Sequence, residues 1–306
     1  MKNLDGLLRK FAPCALLLLV ASCQGGESVQ ADPNSNQNST LQAASSNSAD
    51  SPKVTAAVTA NLGYTDTPLL PGSMFRVHDG ERPQPTMIYK EKSTLPPSTA
   101  VEQAPTDAIV LFSGANLDAW TSSNGPARWK HNSQFMEVNG TGDLRTRRGF
   151  GDVQLHLEFR TPEKVVGDSQ GRGNSGVFLM DRYEVQILDS WHNPTYPDGQ
   201  AAAIYGQHPP IVNASFPPGS WQSYDIVFTA PKFNDNGLLL SPARATVLHN
   251  GVLVQNNVIL LGPTRHRNLP EYQEHADEAP IRLQDHGNPV QFRNIWVREL
   301  KSANDK

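Results

Sequence analysis

Apolar and polar residues alternate strictly from Val153 to Thr161, with Val153, Leu155, Leu157 and Phe159 on one face and Gln154, His156, Glu158 and Arg160 on the other. A period of two is the mark of a strand whose two faces meet different surroundings, one core and one polar. Ser175–Met180, after a Gly-rich turn, reads as the next strand, and the alternation recurs in Tyr183–Leu188, where Val185 and Ile187 oppose Glu184 and Gln186. It recurs again in Trp221–Thr229, which places Tyr224, Ile226 and Phe228 together. Ala245–Val254 predicts a hairpin around Asn250-Gly251, the strongest short turn signal. Ile281–His286 and Val290–Leu300 read as a last strand pair, turned by Gly287-Asn288-Pro289. Alternation assigns Leu155, Leu157, Phe159, Val177, Val185, Ile187, Ile226, Phe228, Leu283 and Ile295 to the core. Roughly ten or more short strands at this spacing predict an all-β fold, two sheets stacked as a sandwich or jelly roll, with a polar groove on one outer face.

The first residues break this pattern. Lys2, Arg9 and Lys10 precede an apolar run from Ala15 to Val20, the charged and hydrophobic regions of a secretory signal, too short to span a bilayer. The run ends in Val20-Ala21-Ser22-Cys23, which resembles the lipobox at which bacterial lipoprotein signals are cut and the cysteine acylated. The chain has two cysteines, and Cys14 falls in the part to be removed, so the mature protein keeps Cys23 alone and no disulfide. The expected layout is a signal peptide over 1–22, a disordered Ser/Asn/Gln-rich linker over 23–62, a Pro-rich arm over 63–106 and a β-sandwich domain over 107–302. Leu69, Leu70, Met74 and Phe75 are expected to pack the arm on something. The product would be an exported lipoprotein, held to a membrane through its lipid anchor only, on the periplasmic face or the cell surface.

A net charge of −4 and a pI near 6.1 provide no global positive field, which argues against nucleic acid as a partner. Arg145, Arg147 and Arg148 form a local basic cluster, read as a solvated loop between strands. His266 and His275, in a long polar stretch with Arg265 and Arg267, read as surface loop. His78, with Asp79 and Arg82 in the arm, is a candidate for the groove rim.

Placed side by side, the polar strand faces assemble His156, Glu158 and Arg160, then Glu184 and Gln186, then Gln284 and His286. An ordinary solvated sheet favours Thr, Ser and Lys, so two glutamates, two histidines and an arginine in line point to a site. Cross-strand pairing on an exposed face is the plain alternative. Histidines and carboxylates on adjacent strands are also compatible with a divalent metal, although no local ligand motif marks one and no other cofactor is implied.

Several segments in this order resemble the bacterial 3-keto-disaccharide hydrolase family: LFSGANLDAW at Leu111, FGDVQLHLEFR at Phe150, GNSGVFL at Gly173, YEVQILDS at Tyr183, AIYG at Ala203, the Trp221-Gln222 pair, HNG at His249 and PIRLQDHGNPVQFRNIWVREL at Pro280. The segment from Tyr64 resembles an arm found in one branch of that family. The resemblance implies a concanavalin-like jelly roll and a hydrolase acting on oligosaccharides or glycosides oxidised to a ketone at C3. It maps the groove onto Glu158, Arg160, Glu184, Gln186, Gln284 and His286. A C3 ketone acidifies the C2 proton, so the C1 oxygen can be eliminated and water added afterwards. That route needs a base, for which Glu184 or His286 is the candidate, a donor to the enolate, Arg160 or Gln186, and an acid, Glu158.

Two other readings remain open on the residues alone. A laminarinase-type glycosidase uses E-x-D-x-x-E, but here Gln186 replaces the central Asp and Asp189 the final Glu. A non-catalytic sugar-binding module would use Trp120, Trp129, Trp191 and Trp221 as stacking platforms.

Overall fold

In a computed structural model, residues 62–89, 103–123 and 125–300 are described. The signal peptide, Cys23 and the expected linker as far as Asn61 lie outside them, as does most of the connector after Tyr89. The described residues fall in one compact unit, Ala56–Lys306. Regular helix among them is limited to short 3-10 turns such as Ser169–Gly171 and Pro197–Gly199.

Two sheets form a jelly-roll sandwich. The six-stranded sheet runs, in spatial order, Tyr183–Ile187, Ser175–Leu179, Ala279–Leu283, Leu144–Phe150, Trp120–Ser122 and Gly125–Pro126. The eight-stranded sheet runs Val252–Ile259, Arg244–His249, Gln222–Thr229, Val153–Arg160, Gln291–Glu299, Met136–Glu137 and Lys130–His131, with Ile109–Phe112 paired to the far part of Gln291–Glu299. Each expected core position is buried in one hydrophobic cluster between the sheets. Burial of this many branched and aromatic side chains, at roughly 1.5–3 kcal/mol each, is what holds a sandwich without disulfides. Tyr224 crosses the core from the eight-stranded sheet, and its hydroxyl donates to the Gln186 carbonyl of the other at 2.7 Å.

The Asn250-Gly251 hairpin forms as expected, with φ of 53° and 76° at its two turn residues, the left-handed pair that a tight hairpin requires. Gln222 locks it in place. Its Oε1 accepts from Phe216 N–H and pairs with His249 Nε2, both at 2.9 Å. Burial pushes the His249 imidazole down to about 3, so it is neutral and structural.

Three expectations are corrected by the topology. Ala279–Leu283 and Gln291–Glu299 are not a hairpin pair, because the turn between them carries the chain from one sheet to the other. Leu144–Phe150 is a strand rather than a loop, and its arginines are engaged: Arg145 with Asp181 at 3.0 Å, Arg147 with the Asp118 carbonyl at 3.0 Å and Arg148 with Glu299 at 2.6 Å. In the arm, Leu70 and Val77 are buried, while Leu69 and Met74 face solvent. The arm is fastened by pairing Thr86–Met87 parallel to Val212–Asn213.

Candidate functional site

The candidate site lies on the outer face of the six-stranded sheet. Alternation on Tyr183–Ile187 sends Tyr183, Val185 and Ile187 into the core and leaves Glu184 and Gln186 on the opposite side. The next strand presents Gly176 and Phe178 opposite them, in the register Gln186 to Gly176 and Glu184 to Phe178. The strand beyond adds Arg282, and Gln284 follows it with its N–H on the Gly176 carbonyl at 3.0 Å. Gly176 is where a mid-strand glycine is required. A Cβ there would overlap Glu184 Oε1 and lie 2.9 Å from the Phe178 ring, so the missing side chain is the space that the carboxyl occupies.

Strand Tyr183–Ile187 is the edge of its sheet, and the chain covers it with its own loop. Gln186 N–H donates to Ala203 O at 3.0 Å, Ala202 N–H to Gln186 O at 2.9 Å and Tyr205 N–H to Glu184 O at 3.3 Å. Covering the edge removes an open row of backbone groups and sets Tyr205 beside Glu184. Tyr205 and Tyr196 share a hydrogen bond between their hydroxyls at 2.7 Å, and Tyr205 meets His266 Nδ1 at 3.1 Å. Burial raises both phenols well above their usual range, so both hydroxyls stay protonated. His266 is lowered, by burial first and by His78 and Arg267 after it.

These elements line an open cavity of about 820 Å3, within the roughly 300–1,000 Å3 of small-molecule sites. Its lining includes Glu184, Gln186, Gln284 and His286, together with Tyr64, Asp168, Gln170, Phe178, Tyr196, Tyr205, Thr264, His266 and Arg282. Glu184 is 4% exposed, and among the described residues its carboxyl oxygens take no hydrogen bond. Burial pushes this carboxyl up to about 8 against the opposing pull of the Arg282 cation, and Asp143 adds to the rise. Gln186 donates through Nε2 to Gln170 at 3.0 Å, while its Oε1 and that of Gln284 are buried with no partner. Unpartnered buried amide oxygens beside a neutral carboxyl are unusual in a finished core, and each is free to take a ligand hydroxyl. Arg282 lies over the Phe178 ring at 3.5 Å and donates to Asp143 at 2.8 Å and to Asp181.

Glu158 and Arg160 are not part of this assembly. Their strand belongs to the eight-stranded sheet, whose outer face points the opposite way, so the expected single groove of six residues is corrected to four. Glu158, 8% exposed, accepts from Arg293 at 2.6 Å and from Asn294 at 2.9 Å. Arg160 donates through Nε to Gln291 Oε1 at 2.8 Å. His156 is buried, bonded to Asp225 at 2.7 Å and stacked on Trp296 at 5.0 Å.

Several surrounding residues also move from their expected places. His266 lines the cavity instead of a plain surface loop, whereas His275 pairs with the Tyr183 hydroxyl at 2.8 Å. Trp120 and Trp129 are buried in the core, which removes them as sugar platforms. Asp189 is drawn back by Arg172 at 2.7 Å and is not in the cavity wall, so the laminarinase carboxylate pair is not assembled. No group of three or more His, Cys, Asp or Glu side chains among the described residues is arranged to hold a metal ion, and no step below is routed through one. Arg282 was legible in the sequence, sharing the face of Gln284 two residues on. Tyr196, Tyr205 and Thr264 were not, because their loops have no periodicity to read.

Residues 107–298 match the 3-keto-alpha-glucoside-1,2-lyase-like domain family. The chain is 24% identical over 247 residues to a 3-keto-disaccharide hydrolase of Bacteroides thetaiotaomicron, spanning 65% of this chain and 81% of that protein. It is similar to the crystal structure of a candidate glycosyl hydrolase from Parabacteroides distasonis, with 46% identity and a TM-score of 0.63 over 64% of this chain and 85% of that one.

Proposed function

The chain belongs to the 3-keto-alpha-glucoside-1,2-lyase-like family, a glycoside hydrolase-like group acting on carbohydrate, and from that premise we propose that it cleaves the glycosidic bond of 3-keto-glycosides or 3-keto-disaccharides by elimination followed by hydration. The observation that carries this reading is Glu184: a buried carboxyl without a hydrogen-bond partner, raised to about 8, at the floor of the cavity. A base that must take a weakly acidic carbon-bound proton works best when its pKa lies near the working pH, and burial without a partner produces that.

In the first half-reaction, Glu184 as carboxylate takes the C2 proton. The C2–H electrons form the enolate with the C3 carbonyl, and collapse of the enolate breaks the C1–O bond. The departing oxygen receives a proton, leaving an unsaturated keto sugar. In the second, water adds its hydroxyl at C1 and a proton at C2. Arg282 is the cation whose field reaches Glu184, and it favours the enolate over the neutral ketone. Gln186 and Gln284 hold sugar hydroxyls through their open amide oxygens. The protonated Tyr205 hydroxyl or the rim residue His286 supplies the leaving-group proton, the part that Glu158 cannot play from the opposite sheet.

The sequence Val20-Ala21-Ser22-Cys23 supports an exported protein anchored through lipidated Cys23, its catalytic domain over 107–302. The deciding experiment is product analysis of 3-keto-glucosides, 3-keto-trehalose and the unoxidised sugars, with and without divalent ions. Cleavage of the keto sugars alone is expected. Equal cleavage of the plain sugars would replace elimination with ordinary glycoside hydrolysis, and glycan binding without any turnover would make the domain a binding module.

A further inference from the structure

The arm over Leu62–Tyr89 lies outside the stretch that matches the family, yet it reaches the cavity at two levels. Leu62, Gly63 and Tyr64 form part of the wall. Behind the wall, His78 is fully buried against the equally buried Asp198. His78 has a left-handed φ of 56°, which turns its backbone N–H and its ring toward one carboxylate. The N–H donates to Asp198 Oδ2 at 2.9 Å, and Nδ1 lies 3.2 Å from Oδ1.

Asp198 sits in the short turn after Tyr196, and its carbonyl accepts from Gly206 N–H at 2.9 Å, so it ties together the two ends of the loop that carries Tyr196 and Tyr205. The His78 ring is 4.3 Å from the Tyr196 ring, 4.7 Å from Tyr205 and 5.2 Å from His266. Each of these three lines the cavity, and together they form the hydrogen-bonded chain beside Glu184. Tyr64 is fixed on the same side. Its ring carries the Arg267 guanidinium at 4.3 Å, and Arg267 in turn donates to Asp66 of the arm at 2.7 Å. The arm thus spans both loops that wall the cavity, through a buried polar contact to the loop of Asp198 and an exposed ion pair to that of Arg267.

We propose that the arm completes the active site, with Tyr64 as a wall against which the sugar ring packs and His78 as a positioning residue that, through Asp198, sets the Tyr196–Tyr205–His266 chain beside Glu184. The inference rests on the reading of this cavity as the reaction site. Tyr64 touches substrate, so its loss acts on binding. His78 does not, so its loss acts on the alignment of groups that move protons.

The test uses the full chain and a 3-keto-glucoside, at a temperature where near-ultraviolet circular dichroism shows every variant folded. Tyr64→Ala is expected to raise KM about tenfold with kcat nearly unchanged, and His78→Ala to lower kcat about tenfold with the smaller effect on KM. His78→Asn should recover most of the lost kcat, because an Asn side chain can place an N–H near the Nδ1 position and tolerates left-handed φ. Folded Tyr64→Ala and His78→Ala proteins with kcat and KM near those of the wild type would overturn the proposal and reduce the arm to a brace. A wild type inactive on every keto sugar would instead overturn the functional reading on which the proposal rests.

Discussion

On the outer face of the eight-stranded sheet, Glu158 is met by Arg293 and Asn294, Arg160 by Gln291 and His156 by Asp225. On the outer face of the six-stranded sheet, Glu184 has no hydrogen-bond donor among the described residues, and Gln186 and Gln284 each keep an acceptor unpartnered. The residue types and the two-residue spacing are alike, and both glutamates are buried. What separates the faces is satisfaction. The paired carboxylate is a structural group, hydrogen-bonded by a cation and an amide. The unpaired one is raised to about 8 by burial, at a cost in stability, which is the pattern of a functional-site group.

The comparison breaks most sharply on activity. Glu184→Gln should reduce turnover of a 3-keto-glucoside by about a thousandfold, as expected for loss of a general base. Glu158→Gln in a folded protein should stay within about threefold. Equal damage from both would mean that the two faces are not functionally distinct.

Stability should move in opposite directions. Between about 4.5 and about 8 the folded chain holds a proton on Glu184 that the unfolded chain has released, so this group makes the protein less stable as pH rises through that window. Glu184→Gln should therefore be more stable than the wild type at pH 7, by on the order of 3 kcal/mol, and no more stable below about pH 4.5. Glu158→Gln should lose about 1–3 kcal/mol by leaving Arg293 without its carboxylate. Denaturant unfolding at pH 4.5, 7 and 8.5 reads both signs.

Gly176→Ala sharpens the same contrast without changing a charge. By pushing the Glu184 carboxyl from its place it should cost about a hundredfold in kcat/KM, measured beside the melting temperature to separate misplacement from unfolding. The pH profile gives a smaller effect. With Glu184 as base, kcat/KM should rise about fiftyfold from pH 6 to pH 8, and a fall over that range would make it the acid. The smallest effect is expected from Arg160→Lys, which should alter kcat/KM by less than about twofold.

Much of this was legible in the chain. Period two set the side of every strand residue in the core list, and it placed Glu184 with Gln186 and Gln284 with His286 on polar faces. The glycine at 176, inside a strand, was the local signal of a close approach. The error lay in setting all polar faces side by side, because alternation gives each residue a face but gives no strand a neighbour. The turn at Gly287-Asn288-Pro289 reads as a turn within one strand pair, yet it carries the chain between sheets, as does the loop after Thr161. That crossing sent Glu158 and Arg160 to one side of the molecule and Glu184 to the other.

The sequence by itself determined the strands of clear alternation, their inward and outward faces, the hairpin at Asn250-Gly251 and the family, since these rest on contacts between near neighbours or on a local order of motifs. Tertiary structure alone decided which strands share a sheet, the burial that lifts the Glu184 carboxyl to about 8, and the meeting of His78 with Asp198 across 120 residues. Those depend on pairing over long separations and on the exclusion of water by loops without periodicity, and no local pattern records either.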